Sequence, residues 1–117
     1  MAQLSTHVLD TARGLPAADV LVEVQIVRGR DRESLSSATT NAQGRTDAPL
    51  LAADRLEPGV YELMFHVGDY FRRAGFRLTD PPFLDRVVIR IGIADPAGHY
   101  HVPLLISPYG YSTYRGT

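Results

Sequence analysis

Polar and apolar residues alternate with a period of two along much of this chain, as in strands that bury one face. Val20–Arg28 is the clearest case, with Val20, Val22, Val24 and Ile26 on one side and Glu23 and Gln25 on the other. Val60–Val67 repeats it: Tyr61, Leu63, Phe65 and Val67 point one way, Glu62, Met64 and His66 the other. In Asp85–Ile93 the buried set is Val87, Ile89, Ile91 and Ile93, with Arg86 and Arg90 outward. Leu4–Asp10 alternates more weakly, Leu4, Thr6 and Val8 against Ser5, His7 and Leu9. Ser34–Thr40 reads as a strand with a polar outer face, and His99–Ser107 and Tyr111–Tyr114 as the last two strands.

Turn signals separate these runs. Thr11–Asp19 carries Gly14 and Pro16 and reads as a loop; Arg28–Glu33 is a charged hairpin tip; Asn41–Thr46 is a turn with Gly44 at positive φ. Ala48–Glu57 is loosely helical at most. Asp69–Ala74 predicts a short helix with Asp69 as N-cap and Gly75 as terminator. Pro81-Pro82 and Asp95–Gly98 are further breaks, and Pro108–Gly110 joins the last two strands. Together these elements predict an all-β protein, an antiparallel β-sandwich with one short helix. Pro103 falls inside a predicted strand and cannot donate to a ladder, so its nitrogen must face an edge, a bulge or a subunit junction.

Composition narrows the classes. A chain of 117 residues suits a single domain spanning 1–117. A net charge of -1 argues against nucleic acid or an anionic membrane as partner and permits self-association. No cysteine is present, which excludes disulfides, thiolate metal sites and cysteine nucleophiles. The opening MAQLSTHVLD does not read as a signal peptide, no apolar run is long enough to span a bilayer, and the last three residues are not a peroxisomal signal. The expected location is cytoplasmic.

Four polar residues stand out: His7, Arg45, His99 and His101. His7 shares a strand face with Leu9, and His99 and His101 share one with Pro103 and Leu105. Imidazoles mixed with apolar groups suit a concave site or an interface better than open solvent. His66, on the polar face of its strand, reads as solvated. Three histidines could hold zinc, but no carboxylate stands beside them to orient the rings, and no metal is expected. Ser5, Ser107 and Ser112 lie in no Gly-X-Ser-X-Gly elbow. A neutral imidazole can polarise a water while a guanidinium holds a planar anion. The residues alone therefore give a β-sandwich with a candidate His/Arg site and an open substrate.

Three motifs carry a resemblance. Leu4-Ser5-Thr6-His7-Val8-Leu9-Asp10 followed by Gly14-Leu15-Pro16-Ala17, then Thr40-Asn41-Ala42-Gln43-Gly44-Arg45, and finally His99–Leu105 with Ser107–Gly116 resemble the motifs of the transthyretin-like 5-hydroxyisourate hydrolases. The resemblance implies a transthyretin-like two-sheet sandwich and hydrolysis of 5-hydroxyisourate to 2-oxo-4-hydroxy-4-carboxy-5-ureidoimidazoline in urate catabolism, without a cofactor. It implies a homotetramer, a dimer of dimers with sites in the channel between dimers. It places the catalytic residues on His7, Arg45 and His101, with Tyr114, Arg115, Gly116 and Thr117 closing the site over the substrate. The family tetrapeptide usually ends in serine, and Thr117 keeps the hydroxyl while adding a methyl. The rival is a transthyretin-like carrier without hydrolase activity, whose channel would favour small and apolar residues at these positions. An immunoglobulin-like adhesive domain fits less well, since the chain lacks both cysteine and tryptophan.

Overall fold

A computed structural model describes residues 2–117. The elements in chain order are β1 (Gln3–Asp10), β2 (Leu15–Pro16), β3 (Leu21–Arg28), β4 (Asp31–Thr39), β5 (Leu51–Ala52), a 3-10 turn (Ala53–Arg55), β6 (Gly59–His66), α1 (Val67–Arg73), β7 (Arg86–Ile93), β8 (His99–Ser107) and β9 (Gly110–Thr113). Among the described residues the strands form two sheets. The first runs β2-β1-β8-β9, with β5 also paired to β1, and the second runs β4-β3-β6-β7. The expected antiparallel pairing holds except between β1 and β8, which run parallel from Gln3↔His99 to Asp10↔Ile106. No hairpin joins these two strands, and the chain crosses the second sheet between them, so nothing local forces them antiparallel.

The core lies between the sheets. Leu4, Val8, Val102, Leu104 and Ile106 from the first sheet meet Val22, Val24, Leu63, Phe65 and Ile89 from the second. In β1 and β3 the burial alternates strictly, as the period-two reading requires. Helix α1 covers one end of the core with Val67, Tyr70 and Phe71. A buried carboxylate ties it to β1. Asp10 accepts from the Tyr70 hydroxyl at 2.7 Å, from Arg13 Nε at 2.9 Å and from the amides of Ala12 and Arg13. Burial pushes the Asp10 pKa up, but these four donors together outweigh it, and the carboxyl stays below its ordinary value.

Local readings shift in three places. Ala48–Glu57 is not helical beyond one 3-10 turn, since Leu51–Ala52 pairs with the start of β1. β4 begins at Asp31, so the hairpin tip narrows to Gly29-Arg30. Helix α1 starts at Val67 with His66 at the N-cap and no side-chain cap. Asp69 falls instead in the first turn, where its charge suits the positive end of the helix. Gly75, at φ 89°, follows the helix as expected.

His66 corrects the sequence reading. It is buried, not solvated, and its Nε2 lies 2.5 Å from Glu23 Oε1 on the neighbouring β3. The outer face of the second sheet is crowded by long side chains that cross from strand to strand. At its centre sits Glu62, 7% exposed. Gln25 and Arg32 donate to Oε1 at 2.8 and 2.9 Å, and Arg90 donates to Oε2 at 3.1 and 3.0 Å. The Arg32 hydrogen bond leads in lowering the Glu62 carboxyl to about 2, against its burial and with help from Gln25 and Arg90.

Candidate active site

The parallel β1–β8 pair sets the site. Register places Gln3 beside His99, Ser5 beside His101 and His7 beside Pro103. The inward side chains, Leu4, Thr6 and Val8 with Tyr100, Val102 and Leu104, are buried, so Gln3, Ser5, His7, His99, His101 and Pro103 share the other, outward face.

The turn after β4 brings in the arginine. Asn41 Oδ1 accepts from the amides of Gln43 and Arg45 at 3.0 and 3.2 Å, and the Gly44 carbonyl accepts from Val8 N at 2.8 Å. Gly44 has φ 78°, and a Cβ there would stand 2.3 Å from the Val8 carbonyl oxygen. Only glycine lets the turn lie flat on β1. The result is a backbone bridge between His7 and Arg45. His7 Nε2 donates to the Gln43 carbonyl at 2.9 Å. A carbonyl accepts only, so Nε2 carries the proton of the neutral ring and Nδ1 keeps its lone pair.

Pro103 shapes the other side. β9 pairs with β8 from Leu104↔Thr113 onward, and in the same register Pro103 would face Tyr114. The ladder lapses there and resumes as a single bridge, His101↔Gly116. A residue without an N–H thus marks a gap between β9 and the tail, and since the register is the same on both sides of the gap no bulge forms there. Gly116 lies against the His101 ring, where a Cβ would come within 2.6 Å of Cδ2. On the ring's other side, Ser5 Oγ is 2.8 Å from Nδ1.

His99, His101, Arg45 and Thr117 line a cleft of about 390 Å³ together with Gln3, Ser5 and Asp47. His7 stands just beside this wall, near enough for its charge to act on His101. Burial first, then the charges of Arg45, His7 and His99, hold the His101 pKa below its ordinary value. His101 is therefore a neutral imidazole at neutral pH, able to give or take a hydrogen bond. Among the described residues the Arg45 guanidinium makes no ion pair, and no three His, Asp or Glu side chains converge as a metal set.

Of the residues singled out in the sequence, His7, Arg45, His99, His101, Gly116 and Thr117 come together here. Arg115 and Tyr114 do not line the cleft. The Arg115 guanidinium stacks 4.5 Å from the Tyr100 ring and donates to the His99 carbonyl at 3.1 Å, and both residues border a second hollow beside β7. Gln3, Ser5 and Asp47 escaped the sequence reading. The period of two that placed His7 outward places Gln3 and Ser5 there too, whereas Asp47 sits in a loop with no periodic signal.

The model of the HIUase/Transthyretin family matches residues 4–116. The chain belongs to this family. It is 56% identical over 115 residues to a 5-hydroxyisourate hydrolase of Deinococcus radiodurans, covering 97% of this chain and 95% of that one. Among solved structures of the family, 5-hydroxyisourate hydrolase of Klebsiella pneumoniae superposes with a TM-score of 0.81 at 40% identity, over 100% of both chains. Sea bream transthyretin in complex with thyroxine superposes with a TM-score of 0.85 at 27% identity, over 97% of this chain and 93% of that one.

Proposed function

We propose that this chain hydrolyses 5-hydroxyisourate in urate catabolism at the cleft on the outer face of its first sheet, with His7, Arg45 and His101 as catalytic groups. The observation that carries the assignment is convergence. The turn after β4 and strand β8 bring Arg45 and His101 to one cleft, strand β1 sets His7 just beside it, and Arg45 reaches it without an ion-pair partner among the described residues. A free guanidinium there suits a planar, urate-like anion. A carrier of an apolar ligand would gain little from an uncompensated cation and several imidazoles.

The reaction is addition of water to a ring carbonyl followed by ring opening to 2-oxo-4-hydroxy-4-carboxy-5-ureidoimidazoline. Water supplies the nucleophile, so no cofactor is needed. His7, set against Arg45 by the bridge between them, activates the water, and Arg45 binds the anion. His101 binds the substrate and passes the proton. Gly116 and Thr117 close the cleft, while Tyr114 and Arg115 anchor the tail that carries them.

The working form in this reading is a homotetramer, a dimer of dimers with the clefts facing between dimers. Two features support it. β7 and β9 are unpaired edges of the two sheets, and the cleft opens on an exposed face that a second dimer would cover. The location is cytoplasmic in this reading; among the described residues no helix is long and apolar enough to cross a membrane.

The test is the ultraviolet decay of 5-hydroxyisourate freshly made from urate, with and without the protein. Decay well above the spontaneous rate is expected. A folded assembly that leaves the spontaneous rate unchanged and binds thyroxine instead would replace the hydrolase with a carrier.

A further inference from the structure

The outward row of β1 holds a hydroxyl that the roles above leave unused. Ser5 is the register partner of His101, and its Oγ lies 2.8 Å from Nδ1 of that ring. Across the ring, Gly116 packs against Cδ2 and Cγ; a Cβ there would stand 2.6 and 3.4 Å from them. The imidazole is held by a polar contact at Nδ1 and by packing at Cδ2. Nε2 is the nitrogen left for a substrate.

A hydroxyl can donate or accept, and a neutral imidazole does one at each nitrogen. If Ser5 accepted from Nδ1–H, its own proton would have no acceptor among the described residues in a half-buried position. Donation to Nδ1 satisfies both groups and leaves the imidazole proton on Nε2. His7 is set the opposite way around, with Nε2–H on the Gln43 carbonyl and the Nδ1 lone pair remaining.

We propose that Ser5 is a positioning residue: it donates to Nδ1 of His101, so that Nε2–H faces the substrate and His101 serves as the hydrogen-bond donor to the developing oxyanion. This rests on the assignment of His101 to the site. The water oxygen then bonds to the ring carbonyl carbon as its proton passes to Nδ1 of His7. The carbonyl electron pair moves onto its oxygen, which His101 Nε2–H holds. Collapse re-forms the carbonyl and breaks the ring C–N bond, and the departing nitrogen takes the proton held at Nδ1 of His7, which returns that base to its starting form. The two histidines have separate roles, His7 as base and His101 as electrophile, because each has a different first partner.

The test is two-bond proton–nitrogen NMR on protein labelled in its four histidines, with His101 assigned by its loss in His101→Asn. In the unaltered protein, His101 is expected as the Nε2–H form. Ser5→Ala should mix the two ring forms and lower kcat about three- to tenfold, the range for one neutral hydrogen bond, with KM little changed. Ser5→Thr should restore both. The acid limb of kcat should move in Ser5→Ala and return in Ser5→Thr, while Arg45, His99 and Asp47 on the same wall and His7 beside it are unaltered. An Nδ1–H form in the unaltered protein, or a ring form and kcat unchanged in Ser5→Ala, would overturn the proposal. Full turnover in His101→Ala would instead remove His101 from the site, an outcome the ring spectra do not mimic.

Discussion

The two sheets each carry histidine, arginine and carboxylate on an outer face, and they use them in opposite ways. On the second sheet Glu62 is saturated by Gln25, Arg32 and Arg90, and His66 is closed by Glu23. Those groups bond to each other across four strands. On the first sheet His7 and His101 spend one nitrogen each on a carbonyl and a hydroxyl, while Arg45 pairs with no carboxylate among the described residues. That face keeps one free ring nitrogen on each histidine and a cation beside a cleft of about 390 Å³. Polar residues on a sheet face thus become a site when their first partners are weak, singly bonded and neutral. They become a clasp when those partners are charged and complete.

The sharpest way to break this contrast is His7→Ala. Turnover should fall roughly 10²- to 10⁴-fold, the usual contribution of one positioned acid–base group, with the melting temperature little changed. Arg45→Lys should also lose activity, because an ammonium cannot reproduce the planar fork. Steady-state kinetics beside a thermal melt checks both.

Glu62→Gln should do the reverse. It leaves turnover intact and costs stability of about 1–3 kcal/mol, the scale of hydrogen bonds to a charged group, read from urea unfolding. This difference should depend on pH in one direction. The folded carboxyl titrates at about 2, below the ordinary 4.5. Its contribution is fully present above pH 4.5 and drains away as the pH falls toward about 2. Melts of both proteins across that window should converge at the acid end.

The smallest effect is in the pH profile of the site. His101 is held below the ordinary 6.5 by burial and by the cations around it. Its protonation is displaced to the acid side of 6.5, so the acid limb of kcat/KM assigned to His101 should fall below that value. A limb above 6.5 that His101→Asn removes would mean a carboxylate faces this ring instead.

Much of this was legible in the residues. Alternation found the long strands because each buries one face, and it turned His7 and His101 outward correctly. It treated His66 in the same way and misplaced it, because burial there comes from Glu23 on the neighbouring strand, which a single strand's pattern does not contain. The parallel pairing of β1 with β8 was hidden for a related reason: it joins residues 96 apart with no local signal. Ser5 was visible as a residue but not as a partner, since its meaning lies in the register that sets it beside His101. Gly44 was read correctly because positive φ is a property of the residue itself.

The most direct measurement compares two histidines that look alike in sequence. His101→Asn and His66→Asn would be purified side by side, shown to be folded by circular dichroism, and assayed for the loss of fresh 5-hydroxyisourate. The expected result is a fall of roughly two orders of magnitude or more for His101→Asn and unaltered turnover for His66→Asn. Equal turnover in the two variants would contradict the placement of the active site on the first sheet.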